Sequence, residues 1–182
     1  MEVTYNGIRA RVDKDGFLIT HAIVEDYLAY RARVFKDVFV WTANIVPTAN
    51  TNVIWIRNSS QTKELRLHRI TVYCNATCEL ATYFGTGNTA GGTVVQGNNT
   101  YLGQPIDQGA DCRFQNTNVD AGAGMTVVEN LRIGATNEEG IDLDGAMSIP
   151  YDYEFALECI TNIDQVKVNI MGYFDPPAEQ AL

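Results

Sequence analysis

Histidine is nearly absent from this chain: its 182 residues contain two, His21 and His68. A metal site built on imidazoles needs them clustered, and nothing in the sequence brings these two together. No serine sits in a G-x-S-x-G elbow. The Gly-rich stretches match neither the dinucleotide fingerprint nor the P-loop with its lysine. Positive charge is scarce too, with 13 Lys and Arg against 22 Asp and Glu, a net charge of −9. Binding nucleic acid requires a basic face that neutralises phosphates, so no nucleic-acid partner is expected. No run approaches the roughly 18 apolar residues of a membrane helix, so no membrane partner is expected either. The opening MEVTYNGIRARVDKDG has no apolar core behind positive charges, which leads us to expect synthesis in a cytoplasm without export.

Cysteine is limited to positions 74, 78, 112 and 159. Without export, buried and reduced thiols are the expectation. Cys74 and Cys78 flank Asn75-Ala76-Thr77, which reads as a turn, so whether these two pair stays open. No matching His or Cys pair completes a metal site. The sequons at Asn58, Asn75 and Asn98 carry little weight in an unexported chain. Carboxylates cluster at Glu138, Glu139, Asp142 and Asp144, a grouping that elsewhere binds calcium or does glycosidic acid/base work. Here Glu138-Glu139-Gly140 reads as a turn, and Asp142 and Asp144 as the solvated face of a strand. No catalytic residue, metal or cofactor is expected, and the chain does not read as an enzyme.

What is present is β-forming. Hydrophobic residues make up 46 % and charged residues 19 % of the chain, the balance of an ordered globular protein. Residues 52–84, NVIWIRNSSQTKELRLHRITVYCNATCELATYF, organise the rest. The run Val53-Ile54-Trp55-Ile56 closes at Asn58-Ser59-Ser60-Gln61, where small polar side chains divert the backbone from a ladder. The next strand has Leu65 and Leu67 in one phase and Ile70, Val72 and Cys74 in the other. A one-residue shift of this kind predicts a β-bulge near His68-Arg69. Leu80, Thr82 and Phe84 share one face of a third strand. Three strands joined by polar turns read as the seed of an antiparallel sheet.

Before this segment, Asp15-Gly16 is a strong turn signal between short apolar runs. Apolar and aromatic residues at 23, 27, 30 and 34 fit one helix face, competing with alternation from Tyr30 to Trp41. The spacing predicts one short helix at most, then a strand to about Ile45 that is apolar on both faces. Such a strand is central in a sheet or covered by another chain. Arginines mixed with tyrosines, Phe35 and Trp41 give this leader the composition of an interface.

After it, residues 85–123 form a long polar stretch with short strands near Thr93–Gln96 and Asp111–Asn116. Its Gly and Asn residues supply turns, and such loops commonly carry recognition. Met125 to Ile133 reads as a strand with Glu129 inward or at an edge. Ile141 and Leu143 lead to a corner at Pro150, Phe155, Leu157 and Cys159 share one face, and Val166, Val168 and Ile170 alternate with polar neighbours. Pro176-Pro177 end the sheet. The sum is an all-β, antiparallel two-sheet β-sandwich at residues 37–175, with an extended N-terminal arm at 1–36 and a C-terminal tail at 176–182. Pattern alone does not separate an immunoglobulin-like from a jelly-roll-like topology, and the strand count together with a family resemblance favours jelly-roll-like.

The stretch 52–84 and the ending VKVNIMGYFD resemble small β-sandwich proteins of tailed-phage virions, among them capsid decoration (cement) proteins, whose architecture tail and fibre modules share. The resemblance spans residues 45–174 and implies a structural virion protein, assembled in the host cytoplasm onto the outer capsid surface. It implies a homotrimer bound to the major capsid protein, with the arm reaching over neighbouring subunits. Tyr27, Tyr30, Arg31, Arg33, Phe35 and Phe39 are then the expected contact residues. The alternative is a receptor- or carbohydrate-binding module of a tail or fibre, with function in loops 85–123 and Tyr83 and Tyr101 stacking on sugar rings.

Overall fold

A computed structural model describes residues 2–5, 8–12, 18–21, 32, 36–100, 109–117, 119 and 124–175. The chain divides into two compact units, residues 1–35 and 36–182. The first holds a three-stranded antiparallel sheet, β1 (Glu2–Tyr5), β2 (Ile8–Val12) and β3 (Leu18–His21). Val12 pairs with Leu18 across the Asp15-Gly16 segment, as the turn signal predicts. The extended arm of the sequence reading is thus a small sheet over its described residues. The predicted short helix, the tail at 176–182, and Tyr27, Tyr30, Arg31, Arg33 and Phe35 lie outside the described residues.

The second unit is a sandwich of two antiparallel sheets. One has the order β11 (Met125–Ile133), β7 (Cys78–Gly85), β13 (Glu154–Cys159), β5 (Thr51–Asn58), β10 (Ala110–Phe114), β8 (Thr93–Val94). The other has the order β12 (Glu138–Ile149), β6 (Glu64–Cys74), β14 (Val166–Asp175), β4 (Val38–Ile45), β9 (Asn98–Asn99). The pairings β4 with β14, β5 with β13, β6 with β12 and β7 with β11 make one long hairpin of two four-strand arms. The pairings β6 with β14 and β7 with β13 roll that hairpin closed. This is the jelly roll. Between β7 and β11, the described part of the polar stretch adds β10 beside β5, β8 beside β10, and β9 beside β4.

Consecutive strands β5, β6 and β7 therefore do not form one sheet, as their short turns suggested. Each connection crosses from one sheet to the other. The alternation of β6 is repaired at the predicted place. Register steps from Met171↔Arg69 to Gly172↔Leu67 in one neighbour and from Asp142↔Arg69 to Met147↔Leu67 in the other. His68 is the extra residue of the bulge, and Leu65, Leu67, Ile70, Val72 and Cys74 all reach the interior. Glu138, Glu139 and Gly140 lie in β12 opposite Tyr73, Val72 and Thr71, not in a turn. Cys74 and Cys78 form a disulfide at the corner where the chain leaves one sheet for the other, while Cys112 and Cys159 are buried and take no part in it. The expectation of four reduced thiols is corrected for the first pair. The four-residue spacing places both at strand ends that meet at the corner.

The interior is filled by Trp41, Ile54, Ile56, Leu65, Leu67, Ile70, Leu80, Ile133, Ile149, Phe155, Leu157, Val168 and Ile170, each at most 1 % exposed. Asn58, at the end of β5, is fully buried, donates to the carbonyls of Lys63 and Ile149 at 2.8 Å each, and accepts from the Ser60 amide at 2.9 Å. Its sequon position is used as a structural clamp.

A polar cleft on the outer face of the larger sheet

β13 points Phe155, Leu157 and Cys159 into the sandwich, and Glu154, Ala156 and Glu158 outward. The outward row meets a second small cluster, Trp55, Met125 and Ala156, packed by Tyr83, Ala90 and Val119. Loops from the 85–124 stretch cover this cluster. Glu154, 1 % exposed, latches them down. It accepts from Trp55 Nε1 at 3.0 Å, from the Asn88 amide at 3.0 Å and from Asn88 Nδ2 at 2.6 Å. A buried carboxylate needs such donors, because desolvation otherwise penalises its charge.

Beside the latch lies a cleft of about 240 Å³, lined by Asn50, Thr51 and Asn52 of the β4–β5 connection and β5, Tyr83 of β7, Glu158 of β13, and Asn116, Thr117 and Val119 after β10. Asn52 reaches it through a bulge. Ile54 pairs with Leu157 but Asn52 pairs with Glu158, leaving Val53 as the extra residue. Val53 and Ile54 both enter the core, and Asn52 turns to the face of Trp55 and Glu158. Bulges re-aim side chains in this way. Asn52 is 5 % exposed, and among the described residues neither its Oδ1 nor its Nδ2 has a hydrogen-bond partner. Among the described residues, Trp41 Nε1 and Arg66 Nε are also buried without a partner, and Trp41 packs within the sandwich core.

Opposite Asn52, the Tyr83 hydroxyl donates to the Glu158 carboxylate. Burial first, then that hydrogen bond and the carboxylate's charge, push the phenol up to about 12. A difference titration of phenolate absorbance between wild type and Tyr83→Phe should have its midpoint near 12, and Glu158→Gln should move it toward the ordinary value of about 10. A midpoint unmoved by that change would break the pairing. Because the folded value lies above the unfolded one, this contribution to stability is complete below about pH 10 and disappears as pH rises through about 12.

A second recess, of about 180 Å³, lies on the smaller sheet between Thr71, Tyr73, Glu138, Lys167 and Asn169, with Lys167 Nζ 5.5 Å from the Tyr73 ring centroid. Glu138, Lys167 and Asn169 are solvent-exposed there, so it holds no buried polar demand.

Of the expected contact residues, Phe39 is 8 % exposed and packs on Trp41 and Phe174, with ring centroids 6.0 and 5.9 Å away. Packing within the sandwich accounts for it. Tyr83 does line a site, whereas Tyr101 lies outside the described residues. The sequence reading missed Asn52 because VIWI reads as an unbroken apolar run. The available signal was the failure of strict alternation there, with two adjacent core residues next to a polar one. Among the described residues, no three His, Cys, Asp or Glu side chains converge to hold a metal ion. Compared with protein-family models, curated proteins and solved structures, the chain matches none of them.

Proposed function

We propose that this protein is a structural virion protein that decorates the outer surface of a phage capsid as a homotrimer and stabilises the shell. The observation that carries this reading is the division of the chain. The described core of the sandwich draws its residues from Phe39 to Phe174, and residues 1–35 form a compact unit of their own. That leaves the N-terminal unit, rich in Arg and Tyr, as the part to engage the major capsid protein. Tyr27, Tyr30, Arg31, Arg33 and Phe35 remain the proposed contacts, while Phe39 belongs to the core. Stabilisation would follow from mass action, since a ligand that prefers the assembled shell to loose subunits shifts the equilibrium toward the shell. Linking about three such contacts in one trimer raises avidity through effective concentration.

The test is co-sedimentation of the purified chain with native phage capsids, alongside its mass in solution. Stoichiometric binding by an oligomer of about three chains is expected. Deleting residues 1–35 should abolish binding and leave the β-sheet circular dichroism of the sandwich intact. Full decoration by the truncated protein would overturn the assignment to the N-terminal unit, and no binding by the full chain would overturn the function.

A further inference from the structure

We infer that the cleft between Asn52, Tyr83 and Glu158 binds one ring of a neutral saccharide. This goes beyond the capsid reading and is independent of it, because every group involved belongs to the sandwich. A buried amide with neither atom bonded is a cost that folding alone does not explain. Its carbonyl accepts and its NH₂ donates, side by side, and adjacent sugar hydroxyls, each both donor and acceptor, complement that pair. Glu158 adds an acceptor held in place by the Tyr83 hydroxyl. The Tyr83 ring and Val119 supply the apolar wall against which the C–H face of a pyranose packs.

Charge narrows the ligand class. The described lining holds a carboxylate and no Lys, Arg or His, on a chain of net charge −9, which disfavours phosphates and acidic sugars. A compact ammonium would suit Glu158 and Tyr83 but would leave the Asn52 NH₂ without an acceptor. A volume of about 240 Å³ lies below the roughly 300–1,000 Å³ of drug-sized sites, and one ring fits. Asn50 and Thr117 at the margin are exposed, which leaves the cleft open for the ring to continue into a longer glycan.

The experiment is saturation-transfer NMR and calorimetry on the full chain. The probes are methyl glycosides of glucose, galactose, mannose, N-acetylglucosamine and N-acetylgalactosamine, with tetramethylammonium and inorganic phosphate alongside. At least one glycoside should bind saturably, with a Kd on the order of 1 mM. Asn52→Val should weaken that binding at least about tenfold while its thermal midpoint stays at or above wild type, and Tyr83→Ala should weaken it comparably. Three results would each overturn the inference: no saturable glycoside at tens of millimolar, glycoside binding unchanged in both variants, or saturation by tetramethylammonium or phosphate alone.

Discussion

Glu154→Ala is expected to destabilise the protein by about 3 kcal/mol, because it removes three hydrogen bonds to one buried carboxylate at once. The indole N–H of Trp55 and both nitrogens of Asn88 converge on this one carboxylate. Each hydrogen bond to a buried charged group contributes about 1.5–3 kcal/mol. For a chain of this size the loss lowers the thermal midpoint by roughly 10 °C. Glu154→Gln keeps the shape and one acceptor oxygen but presents an NH₂ to the remaining donors, so an intermediate loss is expected. The effect should also be local. Asn88 anchors the loop after β7 over Trp55, Ala156 and Met125, and Tyr83 and Val119 share that cluster. Hydrogen exchange around residues 86–90 should accelerate in Glu154→Ala more than in the β14 core. If the variant unfolds at the wild-type midpoint, the latch is not a latch.

Two asparagines on β5 should respond to substitution with opposite signs. The Asn58 side chain is fully buried with three hydrogen bonds made, and Asn52 is 5 % exposed with no side-chain hydrogen bond made among the described residues. Asn58→Ala strands the carbonyls of Lys63 and Ile149 and should cost about 2–4 kcal/mol. Asn58→Asp should cost at least as much, since a carboxylate would then face two carbonyl oxygens. Asn52→Val removes an unmet polar demand and adds a β-branched residue to a strand, and should stabilise by about 1 kcal/mol. In urea the midpoint should fall for Asn58→Ala and rise for Asn52→Val, at an unchanged slope. A fall for Asn52→Val would mean that the amide contributes to the fold, and would remove the stability argument for a ligand at that position.

The contrast shows where sequence reading ends. Asn52 and Asn58 are the same residue on either side of one apolar run, and local sequence marks Asn58 as a strand end without showing that its amide is satisfied and that of Asn52 is not. Composition and alternation were enough for the all-β class, for most of the inward faces, and for the bulge at His68, because each depends on the period of a single strand. The alternation of Val166, Val168 and Ile170 places β14 in the core whichever strand lies beside it. Pairing is different. β14 lies between β4 and β6, strands more than ninety residues earlier, and a pattern of period two carries no information about its neighbour. The short turns between β5, β6 and β7 suggested hairpins, but the chain crosses between sheets at each one, since only the rolled long hairpin buries both apolar faces. The cleft is a product of that roll. It brings Asn52, Tyr83 and Glu158 together from three separate strands, and the Val53 bulge, visible only once β5 meets β13, turns Asn52 to face it. The sequence alone determined which residues would be buried in strands; tertiary structure decided which strands meet, because hydrogen-bond register is settled between chain segments and not within them.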